Sequence, residues 1–155
     1  MTEILTHRKA TITDLRTIVA LLIDDELGQT REVVGSDVAD SYVQAFGCID
    51  DDPNHYLMLV ERGGEAVGTC HLTLTPSLTF QGSLRMAIEA VRVKKELRGQ
   101  GIGEWMMQQA VDYAKEHGAS IIQLTTNKKR PDAKRFYEKL GFQATHEGMK
   151  ICIEL

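Results

Sequence analysis

SLRMAIEAVRVKKELRGQGIGEWMMQQAVDYAKEHG, residues 83–118, decides the architecture. Residues 83–93 form a run with few breakers and read as a strand. Gly99, Gly101 and Gly103 then fall at alternate positions, and the residues after them read as an amphipathic helix that Gly118 stops as a C′ residue. Glycine inside a helix costs roughly 1 kcal/mol against alanine. Three of them at a helix start therefore ask what lies close to that backbone. A strand running through a glycine loop into a helix N-terminus is anion-binding architecture. Unpaired N–H groups point out of the helix start, the helix dipole favours negative charge there, and glycine leaves no Cβ in the way. Arg98, just before the loop, adds a guanidinium that can fork onto phosphate oxygens. A tight strand-to-helix turn without a ligand is the alternative.

On the N-terminal side, residues 3–10 read as a first strand. Thr11 or Thr13 caps a helix that carries Leu15, Ile18, Val19, Leu22 and Ile23 at helical spacing to about Leu27. Ser36 caps a second helix, DVADSYVQAF, expected to end near Gly47. HYLMLVERGGEAVGTCHLTL, from His55, reads as two strands joined at Gly63 and Gly64. On the C-terminal side, SIIQLTTN reads as a strand, DAKRFYEKL as a short helix closed by Gly141, and MKICIEL as a last alternating strand. The order β-α-α-β-β-β-α-β-α-β predicts a mixed α/β layer: a central twisted, mostly antiparallel sheet of six or seven strands flanked by helices. No linker divides it, so residues 1–155 are expected to form a single domain.

The chain has 155 residues, a formal net charge of −4 and 43% apolar residues, which describes an ordinary globular protein. That charge gives no electrostatic footprint for nucleic acid. The apolar run at residues 18–23 is too short to span a bilayer, and MTEILTHRK contains no signal-like apolar core. Three widely spaced cysteines, Cys48, Cys70 and Cys152, do not suit a disulfide framework, and a cytoplasmic location is expected. No His/Cys cluster has zinc spacing, so no metal is expected. Cys70 and His71, adjacent on one strand, should face opposite ways and so make a poor nucleophile pair. His117, at a helix end, is expected to bond a helix carbonyl.

The glycine pattern separates the phosphate ligands. A dinucleotide fingerprint G-x-G-x-x-G starting at Gly99 would need glycine where Glu104 stands, and the Lys-Ser/Thr ending of a P-loop is missing. The loop does match R/Q-x-x-G-x-G/A over Arg98, Gly99, Gln100, Gly101, Ile102 and Gly103. Here the sequence resembles the GNAT family of N-acetyltransferases, whose loop holds the pyrophosphate of acetyl-CoA. IEAVRVKKELRGQGIGEWMM is similar to the family's central strand, loop and helix. LTTNKKRPDAKRFYEKLGF is similar to its next strand and helix. The resemblance implies a GNAT-like acyl-CoA N-acyltransferase fold, with acetyl-CoA as co-substrate and an amine as acceptor.

The resemblance also implies roles by position. The backbone of Val91, Arg92 and Val93 would pair with the pantetheine arm as an added strand. Arg98, Gly99, Gln100, Gly101, Ile102 and Gly103 would wrap the pyrophosphate. Asn127 would touch the pantetheine through its amide, and Asp132, Ala133 and Phe136 would border the cofactor's other side. Acetyl transfer needs a neutral amine, a stabilised thioester oxygen and a proton for the leaving thiolate. Glu89 is the candidate base. In a regular strand it shares a face with Val91 and Val93, and burial among them would raise its pKa. A charge paired with Arg85 or Arg92 is the alternative. Tyr137 is the candidate acid, and an aromatic packed under the cofactor is the alternative. For the oxygen, the family uses an N–H freed by a bulge, which points to the amide near Val91. Lys128, Lys129 and Arg130 fit either the cofactor's 3′-phosphate or a solvated loop. Asp24, Asp25 and Glu26 fit either an attractor for a cationic amine or a solvated helix end. A non-catalytic acyl-CoA sensor is the competing function, and a homodimer is the expected assembly.

Overall fold

The structure, a computed structural model, describes residues 4–24, 32 and 38–155. It divides into two compact units, Met1–Gln123 and Leu124–Leu155. The first contains β1 (Leu5–Lys9), a 3-10 turn (Ile12–Asp14), α1 (Leu15–Ile23), α2 (Asp40–Asp51), β2 (His55–Arg62), β3 (Glu65–Pro76), β4 (Leu84–Val93), α3 (Ile102–Glu116) and β5 (Ala119–Gln123). The second contains α4 (Pro131–Lys139).

The strands form one five-stranded sheet in the order β1-β2-β3-β4-β5. The β1–β2, β2–β3 and β3–β4 pairs are antiparallel, and β4 and β5 are parallel. The parallel pair requires a long crossover, and α3 supplies it. Alternation along the strands loads both faces. On one, Leu57 and Leu59 pack with Ala10, Leu15, Ile18, Val19 and Phe46 of the segment around α1 and α2. The alternate residues Met58, Leu72, Met86 and Ile88 are buried as well, as are Ile102, Met106, Met107 and Ala110 of α3. Each large side chain so buried contributes about 1.5–3 kcal/mol.

The start of α1 is fixed by charge. Thr11 N–H donates to Asp14 Oδ2 (2.8 Å), and Arg8 grips the same carboxylate through Nη1 (2.7 Å) and Nη2 (2.9 Å) while its Nε donates to Glu61 Oε1 (2.8 Å). The guanidinium holds the Asp14 carboxyl at about 2.

Several elements differ from the sequence expectation. Among the described residues the sheet has five strands rather than six or seven. MKICIEL, residues 149–155, is not a strand: its apolar side chains are exposed, Ile151 at 86% and Ile153 at 76%. Alternation marks a segment suited to pairing, but a strand also needs a neighbour on its hydrogen-bonding edge. SIIQLTTN is strand only through Gln123. α2 passes through Gly47 to Asp51 instead of stopping near it, because tertiary packing of Phe46 and Ile49 outweighs one glycine's propensity cost. The proposed cap at Ser36 and the acidic residues Asp25 and Glu26 lie outside the described residues, as does Leu27.

Candidate active site

In the first unit the site is built where β4 leaves its ladder. Thr69 pairs with Arg92 and His71 with Glu89, so Cys70 alone stands opposite both Ala90 and Val91. That two-against-one count is a β-bulge. Ala90 takes it up at φ 52, a left-handed conformation that costs an L-residue about 1–2 kcal/mol. The parallel pairing with β5 ends at Ala87 and Gln123, while β4 runs on to Val93. The bulge expected near Val91 is therefore present. It also breaks the alternation that was to bury Glu89 beside Val91 and Val93: Glu89 is exposed. Arg85, one of its two suggested partners, is engaged elsewhere, by Thr79 Oγ1 (2.5 Å), Gln123 Oε1 (3.4 Å) and the Phe80 ring.

The glycine loop follows. Gly99 (φ 79) and Gly101 (φ 84) are both left-handed, and an added Cβ at either would meet nothing within 4 Å. The two φ values explain why glycine stands there, and the empty space explains what it leaves room for. Trp105 N–H donates to Gly101 C=O (3.0 Å) as α3 begins, so the N–H groups of Ile102, Gly103 and Glu104 precede the first intrahelical donor. Arg98 Nη2 donates to the Asp24 carbonyl (2.8 Å), and Lys95 N–H donates to Asp24 Oδ2 (3.0 Å). Asp24 thus ties the end of α1 to the loop, and its carboxylate is occupied by backbone. Gln100 Oε1 accepts from Arg62 Nη1 (3.4 Å), and Ile102 is buried beneath the helix start.

A feature the sequence reading missed lies beside Glu89. His71, its cross-strand partner, is half-buried, and its Nε2 sits 2.8 Å from Nδ1 of His55. His55 Nε2 lies 3.5 Å from Asp52 Oδ2, and Thr73 Oγ1 lies 3.3 Å from His55 Nδ1. Burial first, and His55 second, push the His71 imidazolium below the ordinary histidine range, against a smaller upward pull from Glu89. Cys70, adjacent in sequence, faces the core near Met58 Sδ (3.8 Å), and burial pushes its thiol up to about 12. The two residues do face opposite ways. His117 Nδ1 meets the Tyr113 carbonyl at 2.8 Å, the helix-end role expected for it.

The second unit holds the other candidates. Asn127 forms a turn in which its Oδ1 accepts from Lys129 N–H (2.8 Å) and its carbonyl from Arg130 N–H (2.9 Å). That turn delivers Pro131 to the first position of α4. Ala133, Phe136, Tyr137 and Leu140 share the half-buried face of α4, while Asp132 is exposed and pairs with Arg135. Tyr137 packs edge-on between Phe136 (5.1 Å) and Phe142 (5.7 Å). Phe142 N–H donates to the Tyr137 carbonyl and Gly141 N–H to that of Glu138, both at 3.0 Å, which closes the helix. Among the described residues no cluster of His, Cys, Asp or Glu has the makings of a metal site.

The sequence pattern of the Acetyltransferase (GNAT) family matches residues 20–142. An aminoalkylphosphonate N-acetyltransferase from Salmonella typhimurium is 37% identical over 95 residues, which are 61% of this chain and 61% of that protein. The chain thus spans about three fifths of that curated relative. A protein from Bacillus halodurans C-125 described as a transcriptional regulator has a crystal structure that superposes with a TM-score of 0.94 at 49% identity, over 97% of this chain and 100% of that one. Glucosamine-6-phosphate N-acetyltransferase from Arabidopsis thaliana shares the fold, with a TM-score of 0.78 at 24% identity over 98% of this chain and 100% of that one.

Proposed function

Because the chain belongs to the Acetyltransferase (GNAT) family, we propose that it is an N-acetyltransferase that moves the acetyl group of acetyl-CoA to a primary amine by direct attack. The observation that carries this reading is the pair of left-handed glycines, Gly99 and Gly101, with open space over both at the N-terminus of a 15-residue helix. The pyrophosphate occupies that space, bonded by the first N–H groups of α3 and favoured by the helix dipole. The pantetheine arm pairs with β4 at Val91, Arg92 and Val93, beyond the point where β5 stops. An amide freed at the bulge donates to the thioester oxygen as charge builds there.

Glu89 takes the amine's proton, directly or through water. The nitrogen lone pair then attacks the acetyl carbon. The tetrahedral intermediate gives up its nitrogen proton to water and collapses, the C–S bond breaks, the Tyr137 phenol protonates the departing thiolate, and a proton from water restores the phenol. Asn127, Asp132, Ala133 and Phe136 keep the cofactor-contacting roles that the family resemblance implies. The acceptor's class follows only from relatives, one named for aminoalkylphosphonates and one for glucosamine 6-phosphate. Both names describe a primary amine on a small anionic molecule. The B. halodurans protein's description suggests gene regulation instead. A net charge of −4 gives this chain little to offer a phosphate backbone.

Titration calorimetry tests the reading. Acetyl-CoA and CoA bind with micromolar affinity, while NAD and ATP do not. Equal binding of all four, or of none, contradicts it. The exposed apolar alternation at residues 149–155 supports a homodimer, and light scattering should give twice the 17.3 kDa of one chain. A monomer mass removes that part.

A further inference from the structure

We propose that His71 and His55 form the proton exit of the acetylation site, taking the amine's proton on from Glu89 and releasing it to solvent beside Asp52. This rests on the acetyltransferase reading, since it assigns Glu89 the amine's proton. Glu89 is exposed but stands on the face of β4 that looks across to His71, and the bulge at Ala90 and Val91 sets that register.

The geometry orders the protons. The Asp52 carboxylate near His55 Nε2 favours a proton on that nitrogen. His55 Nδ1 is then an acceptor, and at 2.8 Å it takes the Nε2–H of His71. His71 is left with a lone pair on Nδ1. Two imidazoles this close cannot both be charged, so each serves as a way station and not as a store. The groups whose charge acts on His71 are His55 of β2 and Glu89 of β4. The helices packed on the Leu57 face contribute mainly aliphatic and aromatic side chains. Among the side chains packed in that cluster the titratable one is Tyr42, whose hydroxyl donates to Glu32 Oε1 (2.9 Å).

The step balances with one proton and no change of oxidation state. The ammonium N–H bond breaks as Glu89 gains the proton. Glu89 passes it to His71 Nδ1, His71 releases its Nε2 proton to His55 Nδ1, and His55 releases its Nε2 proton to water at Asp52. Exchange with water restores both tautomers. His71 and His55 act through Glu89 and are positioning residues in that sense.

The test uses the full chain with acetyl-CoA and three amines: 2-aminoethylphosphonate, glucosamine 6-phosphate and a peptide with a free N-terminus. His71→Gln should keep its affinity for acetyl-CoA and lose about 10- to 100-fold in kcat at pH 7, the lower range of a proton-transfer contribution. The loss should shrink as pH rises and the amine deprotonates unaided. Glu89→Gln combined with His71→Gln should be no slower than Glu89→Gln alone, because both lie on one path. His55→Gln should repeat the pH pattern and stands in if His71→Gln does not fold. Wild-type kcat in the histidine variants, a loss independent of pH, or multiplying losses in the double variant would overturn the relay while leaving the transferase reading intact. No acetylation of any amine by the unaltered protein would overturn both.

Discussion

Gly101→Ala separates a phosphate cradle from a mere turn. Gly101 sits at φ 84 before α3, and Gly118 sits at φ 78 just past its other end. An added Cβ meets nothing within 4 Å at either position, so alanine meets the same strain and no clash at both. Each substitution should cost about 1–2 kcal/mol, the left-handed penalty of an L-residue. At this chain length that lowers Tm by roughly 2–8 °C. The two variants part company on the ligand. At Gly101 the methyl enters the space where phosphate oxygens approach the first N–H groups of α3. Displacing that contact by a few tenths of an ångström weakens charge-assisted hydrogen bonds worth about 1.5–3 kcal/mol each. CoA affinity should therefore fall at least about tenfold in Gly101→Ala, since 1.4 kcal/mol is a factor of ten. Gly118→Ala should bind CoA as the unaltered protein does. Melting curves and calorimetry on the two variants give both numbers. Equal CoA affinity in both would refute the cradle and leave the glycines as turn residues.

Two further outcomes follow from named contacts. Tyr137→Phe keeps the ring packed between Phe136 and Phe142. Acetyl-CoA affinity should hold while kcat and kcat/KM both fall about 10²-fold, less with a donor whose thiol is more acidic; an unchanged kcat removes Tyr137 from proton transfer. Asp14→Asn tests the Arg8 fork. Arg8 depresses the Asp14 carboxyl to about 2, so its stabilisation is complete above its ordinary pKa near 4 and disappears as pH falls toward 2. The variant should be roughly 0.5–1 kcal/mol less stable at pH 7, with the gap closing in acid. A gap that stays constant from pH 7 to pH 2 contradicts the ion pair.

How far the sequence carried depends on what each feature needs. The α3 helix, its glycine start and the Gly118 stop are local, and all three stand where periodicity and turn chemistry put them. The α4 face with Ala133, Phe136 and Tyr137 is local too, whereas the strand read through Asn127 stops at Gln123. Registers are not local. From the turn at Gly63 and Gly64, Arg62 pairs with Glu65, which would bring Tyr56 opposite His71 in an unbroken hairpin. A shift between Val60 and Glu61 instead brings Leu57 opposite His71 and His55 opposite Thr73. That one-residue slip puts His55 on the same face as His71, and no residue type in the sequence announces it. The bulge at Ala90 hides in the same way, since alanine gives no sign of a positive φ. Glu89 is exposed, and the bulge takes Val91 and Val93 off its face, so the simple alternation that was to bury it does not hold. The terminal segment 149–155 has the alternation of a strand, but pairing depends on an edge that its own residues do not encode.

Acetyl transfer itself decides the matter. The purified chain is incubated with acetyl-CoA and each of the three amines at pH 8, with thiol release followed continuously and the amine's mass read at the end. The account predicts that CoA appears in step with a product 42 Da heavier than one amine, the mass of an acetyl group replacing a hydrogen, and that Gly101→Ala slows it while Gly118→Ala does not. Tight binding of acetyl-CoA with no thiol release and no mass gain on any amine would contradict catalysis and leave a module that only senses the acyl donor.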